Sequence, residues 1–131
     1  MRRIWIEPAA AIVYWPRASA IALWHQYRGY GSGRARTMRL HGQPPKLRQV
    51  IPLLILGAVV MALASPAKAL LAIPALSWLL ATLCIGVIVG VRANSGCAML
   101  SGVPAAIMHL SWGWGFVEAI AQAIFVRDRK Q

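Results

Sequence analysis

Acidic side chains are almost missing from this chain: its 131 residues carry only Glu7, Glu118 and Asp128. A general acid/base pair or an Asp-rich Mg²⁺ site needs at least two converging acids, and these three stand far apart in sequence. No catalytic residue and no metal ligand set is therefore expected in the chain. Cysteine is equally scarce. Cys84 and Cys97 form no CxxC and have no histidine near them in sequence, so packed thiols are expected rather than a disulfide or metal site. There is no P-loop, HExxH, nucleophile elbow or zinc-ligand spacing. The first apolar run is short and is broken by Glu7, Pro8 and Pro16, so it does not read as a secretory signal.

Basic charge is abundant, and it is uneven. Residues 1–49 hold nine Lys/Arg against one acid, a formal +8, whereas residues 50–131 contribute only +3 of the total +11. Such an excess suits nucleic acid or anionic lipid. The apolar half decides for lipid: basic residues directly before apolar spans read as a cytoplasmic membrane flank. No nucleic-acid recognition motif accompanies the charge, so no nucleic-acid partner is expected. A multi-pass protein of the bacterial inner (cytoplasmic) membrane with a cytoplasmic N-terminus follows from this reading.

The fold class expected is mainly α, with four segments along the chain. Residues 1–18 contain two brief extended pieces, 4–7 and 11–15, which suit the end of a larger sheet. Residues 19–49 form a basic interfacial region. There Ser19 caps a helix from about Ala20, Ile21, Trp24, Tyr27 and Arg28 recur at helical spacing, and Gly29, Gly31 and Gly33 end it near residue 30. A second basic helical piece follows from Arg34 to Leu40. Residues 50–126 form a membrane domain with spans at about 49–65, 69–91 and 98–126, joined by a turn at 65–68 and a polar break at 92–96. Between Val50 and Val91 the only charge is Lys68, and about 20 apolar residues cross a bilayer. Pro52 falls in the first turn of the first span, where proline is tolerated. Residues 127–131 are a basic tail. Three spans would put this tail outside, against the charge rule; a last segment that folds back or lies in the interface would avoid that.

Three sets of residues are candidates for function. Backbone N–H groups of Gly29, Gly31 and Gly33 could approach an anion, with Arg28, Arg34 and Arg36 offering bidentate donors to phosphate. Trp15, Trp24 and Tyr27 suit the headgroup level as interfacial aromatics, and Tyr27, Tyr30 and Trp24 could instead stack on a sugar. The plainer reading is a polybasic flank that only holds lipid. His109 and Glu118 are ionisable groups inside an apolar segment. Nine residues apart, they fall on opposite sides of a helix, whereas His109 and Trp112 share a face.

Four blocks of this sequence, in order, resemble a known family. RIWIEPAAAIVYWPR is followed by SxxxLWHQYRGYGSGRART, then PKLRQxxP, and lastly MHLSWGWGF. Together they are similar to the C-terminal part of membrane family 2 glycosyltransferases, of the ExoA-like type of succinoglycan biosynthesis. The resemblance implies a cytoplasmic GT-A-type catalytic domain upstream, with the DxD and general-base motifs that this sequence lacks. For a complete enzyme it implies Mg or Mn and a nucleotide-sugar donor, neither being a cofactor of this chain itself. It also implies an acceptor, lipid-linked or polysaccharide, and phosphate- or acceptor-contacting roles for Gln26, Arg28, Tyr30, Arg34 and Arg36. Processive relatives carry QxxRW on an interfacial helix. Here the arginine of Gln26-Tyr27-Arg28-Gly29-Tyr30 comes one place early, and Tyr30 stands where Trp would. The chain is thus expected to anchor a polysaccharide- or exopolysaccharide-synthesising transferase on its acceptor side, to depend on a separate catalytic GT-A domain, and to be inactive alone. The alternative is a small independent membrane protein that binds anionic lipid, or a partner, through its basic collar.

Overall fold

A computed structural model describes residues 18–64 and 68–128. The expected extended pieces at 4–7 and 11–15, Trp15, most of the turn at 65–68 and the end of the basic tail lie outside those residues. Five helices follow one another: α1 (Ala20–His41), α2 (Leu47–Ala64), α3 (Lys68–Arg92), the single turn α4 (Gly96–Met99) and α5 (Gly102–Asp128). No strand occurs among the described residues.

Ser19 caps α1 as its type and position lead one to expect, its Oγ accepting from the Ala22 N–H at 3.2 Å. What differs is the length of the helix. α1 does not stop at the glycines; it runs unbroken for 22 residues and absorbs the separate piece expected at Arg34–Leu40. Its true end is Gly42, whose φ of 61° is the left-handed conformation glycine adopts without steric cost, and whose N–H bonds the Met38 carbonyl. The glycines are tolerated because of what lies against one of them. A Cβ on Gly31 would overlap the Trp112 carbonyl oxygen of α5, and one on Gly115 would overlap the Arg28 carbonyl oxygen of α1. Two helix backbones therefore touch, as small residues permit in membrane proteins, and the contact offsets the weak helix propensity. Around it Ala35, Met38, Phe116 and Ala119 form the buried core, with Leu53, Trp112 and Ile120 packed on its edge. Trp112 and Phe116 stack at 5.3 Å.

α2 opens at Lys46, whose N–H donates to the Gln49 side chain at 2.9 Å, the backward half of a capping box. Because the helix begins at Leu47, Pro52 lies in its interior rather than in its first turn. Proline there removes the N–H that would reach the Arg48 carbonyl. α5 comes close here because Gly113 has no side chain: a Cβ on it would stand 2.9 Å from the Pro52 carbonyl oxygen. α3 ends at the expected polar break. Asn94 takes a left-handed φ of 49°, and Ser95 caps α4. Cys84 and Cys97 are free and exposed, not packed as expected. On α3 the apolar side chains around Cys84 face outward, so the thiol faces outward with them.

Two helices are long and apolar enough to cross a membrane, Leu47–Ala64 and Ala72–Arg92. The expected third, 98–126, is not among them. Gly102, Ser111, Gly113, Gly115, Glu118 and Gln122 dilute its apolar content, and α4 with its turn takes up residues 96–101. Instead α5 turns one face to α1 and another to α2 and α3. These two helices bury almost none of their own side chains: Leu54, Leu63, Leu76, Leu80 and Ile85 are more than half exposed.

Candidate functional site

At 100° per residue, the 22-residue α1 shows three different faces where it meets α5. Gly31, Ala35 and Met38 form the buried stripe beneath α5. On one flank lie His25, Arg28, Ser32 and Arg36, and on the other Tyr27, Tyr30 and Arg34. The candidate residues that follow one another in sequence are thus split between two clefts, with α5 as the ridge between them.

The first flank is polar and largely neutralised. Arg28 donates from Nε to Glu118 Oε2 at 2.8 Å and from Nη2 to Glu118 Oε1 at 2.6 Å, a two-pronged ion pair across 90 residues of sequence. Glu118 also accepts from Gln122 Nε2 at 3.4 Å. These hydrogen bonds from Arg28 hold the Glu118 carboxyl below the usual glutamate range, against the opposing effect of burial, while the carboxylate raises Arg28 further. The side chains remain 39% and 30% exposed, so water screens the pair and it fixes geometry more than it adds stability. Arg28 is therefore not the free phosphate donor expected of it. Arg36 lines the same cleft of about 300 Å³ and is exposed.

A carboxylate whose pKa is lower in the folded state stabilises above its unfolded pKa and loses that contribution as pH falls through the folded one. Acidification below the ordinary glutamate range should thus loosen α5 from α1, and Glu118→Gln should abolish that acid step. Tryptophan fluorescence followed against pH checks this, through Trp112 at the contact.

The second flank is aromatic and cationic. Tyr27 and Tyr30 meet edge to face at 5.4 Å, and Gln26 Nε2 donates to the Tyr30 hydroxyl at 2.9 Å. Arg34 follows one turn on. From α2 come Arg48, Gln49 and Pro52, and from α5 Met108, His109 and Trp112, enclosing a cleft of about 440 Å³. His109 donates from Nδ1 to the Ala105 carbonyl at 2.9 Å and meets Trp78 of α3 edge to face at 5.9 Å. It shares the cleft with Trp112, as their spacing implied, and stands apart from Glu118. Trp24, half-buried, sits elsewhere, over Ile107 with Ala20 and Ile21.

The glycine cradle does not form. Inside a continuous helix the N–H groups of Gly29, Gly31 and Gly33 belong to the i−4 hydrogen-bond ladder and cannot wrap an anion. Arg48 was legible only as one of the flank charges, since nothing in sequence spacing joins it to Arg34. The nearest signal was Glu118 itself: an acid in an apolar segment needs a cation, and α1 supplies it. Among the described residues no three His, Cys, Asp or Glu side chains converge on a metal-sized site.

No family pattern matches the chain, and no solved structure matches it. One relative does: the succinoglycan biosynthesis protein ExoA of Rhizobium meliloti (strain 1021), 36% identical over 114 residues. The match covers 87% of this chain and 34% of the relative, so the chain spans about a third of that protein's length. The likeness read from the RIWIEP, LWHQYRGYGSGRART and MHLSWGWGF blocks is thereby shown: across most of its residues, this chain is similar to the ExoA type of succinoglycan-biosynthesis protein.

Proposed function

We propose that this chain is the membrane-anchoring, acceptor-side portion of a glycosyltransferase for exopolysaccharide synthesis. The observation that carries the reading is the likeness to ExoA over 87% of the chain, in which two lipid-exposed helices accompany a basic helix. Sugar transfer itself would lie with a GT-A domain outside these residues. Within the described residues, Glu118 is committed to Arg28. The role left to this chain is to hold the acceptor at the membrane face beside that domain. Of the candidates, Tyr30 and Arg34 have the best-placed cleft for it, Gln26 supports Tyr30, and Arg36 lies on the other flank.

Two spans also remove the conflict over the basic tail. If α2 leaves the cytoplasmic side and α3 returns to it, α1, α5 and the terminal Arg-Asp-Arg-Lys all lie on one side, in accord with the charge rule. The chain's own thiol tests this. With Cys84 replaced by Ser, Cys97 should react with a membrane-impermeant maleimide in inverted inner-membrane vesicles and not in intact cells. A Gln131→Cys reporter in a Cys-free background should label from the same side. Labelling of position 131 from the opposite face would mean that α5 crosses, and would restore three spans.

A further inference from the structure

α5 carries an apolar stripe that no other element covers among the described residues. At 100° per residue, Val103, Leu110, Trp114, Val117, Ile124 and Phe125 fall within about 100° of one another around the helix. Leu110 is half-buried, and the other five are 48–69% exposed. Gly115 and Ala119, which meet α1, lie on the opposite side. Exposed apolar surface along a whole helix marks a contact with protein or membrane. Three observations favour lipid. α5 packs against the apolar stretches of both long helices, Gly102 at Thr82 and Leu83 of α3 and Gly113 at Pro52 and Leu56 of α2. Whatever medium surrounds those helices therefore reaches α5 as well. Trp114 stands midway along the stripe, and tryptophan prefers the boundary between headgroups and acyl chains. Charge, lastly, is sorted between the paired helices. α1 carries Arg28, Arg34, Arg36 and Arg39, whereas α5 as far as Phe125 has only His109 and Glu118 as ionisable groups. Glu118 opens the polar, part-exposed flank beside the stripe. A helix so divided lies along a membrane surface with its apolar face down.

We infer that α5 lies in the plane of the bilayer surface with this stripe in lipid, and that α1 rides on its opposite face, away from the acyl chains. This rests on the two-span arrangement and adds which helix meets the lipid surface. It also moves the interfacial role expected of Trp24 and Tyr27 on α1 to Trp114 on α5.

Site-directed spin labelling tests it on the full chain. Cys84 and Cys97 are replaced by Ser, and single cysteines are introduced as Val103→Cys, Val117→Cys, Ile124→Cys, Gln122→Cys or Arg39→Cys. Each variant is nitroxide-labelled and reconstituted in vesicles of phosphatidylcholine and phosphatidylglycerol. Power saturation with oxygen, which collects in lipid, and with a nickel chelate, which stays in water, gives the depth of each label. Labels at 103, 117 and 124 should favour oxygen and lie about 5–10 Å below the headgroup boundary, at depths alike to within about 5 Å. Labels at 122 and 39 should favour the nickel chelate. Circular dichroism checks that the helices persist, and positions 117 and 124 replace each other if one variant does not fold. A depth that changes steadily towards about 30 Å between 103 and 124 would mean that α5 crosses. That outcome overturns the inference and the two-span arrangement together. Exclusion of both reagents at 117 and 124 would mean that a protein, such as a second copy, covers the stripe. Nickel access there would mean that the stripe stands in water, and a label at 39 in lipid would return the interfacial role to α1. Each of these three overturns the inference and leaves the two spans standing.

Discussion

Gly31→Ala should destabilise the fold by about 1–3 kcal/mol, while the same change at Gly29 or Gly33 should stabilise it by up to about 1 kcal/mol. The three positions differ by two residues each and share one helix. Helix propensity alone predicts a gain at all three, because alanine is the better helix former. The surroundings reverse the sign at the middle one. Among the described residues nothing beyond the local turn of α1 lies within 4 Å of a Cβ at Gly29 or Gly33, whereas at Gly31 the new carbon would overlap the Trp112 carbonyl and stand 3.0 Å from the Phe116 nitrogen. Those are backbone atoms. No side-chain rotation relieves them, so α1 and α5 must part, and the core of Ala35, Met38, Phe116 and Ala119 opens with them. Gly115→Ala attacks the same contact from the other helix and should behave alike. The pair should be less than additive, since the first substitution has already separated the helices. Thermal unfolding in detergent, followed by far-ultraviolet circular dichroism, orders the variants; a stabilising Gly31→Ala would refute the close contact.

Glu118→Lys should detach α1 from α5 more fully than Glu118→Gln does. Glutamine leaves Arg28 without a counter-ion but adds no repulsion. Lysine places a second cation where Arg28 now donates two hydrogen bonds, in a cleft that also contains Arg36 and His25. The reciprocal exchange, Arg28→Glu with Glu118→Arg, should recover most of the loss because it rebuilds a fork against a carboxylate across the same gap. Recovery is the informative outcome, since a merely unstable variant would not be rescued by a second drastic change. Limited proteolysis within α1 gives the readout: rapid cleavage for Glu118→Lys, near-native protection for the exchange. Protection of Glu118→Lys equal to the parent would show that the ion pair holds nothing together.

What could be read in advance was what local chemistry decides. Ser19 as a cap, the polar break at 92–96 and the two long apolar helices follow from neighbours within a few residues, and all stand in the structure. What failed depended on partners far along the chain. Gly29, Gly31 and Gly33 read as a helix end because their propensity is a local quantity, while the carbonyl that makes room for Gly31 useful belongs to Trp112. Arg28 read as a free phosphate donor because its carboxylate lies 90 residues away. Residues 98–126 read as a span from their apolar content, yet their small residues serve contact with α1 and α2. The cleft was half legible: Tyr27, Tyr30, Arg34 and His109 were named, and Arg48 was counted only as charge.

The glycine interlock also sets a rule about length. With Gly31 locked against Trp112 and Gly115 against the Arg28 carbonyl, α1 cannot roll about its own axis. Its side chains then behave like teeth on a shaft keyed at one point. One residue inserted between Gly31 and Arg34 would turn everything beyond it by about 100°, carrying the arginine from its cleft to the ridge beneath α5. The same insertion after Gly42 would turn nothing that matters. Between residues 28 and 38 it is spacing, more than residue type, that this segment has to conserve.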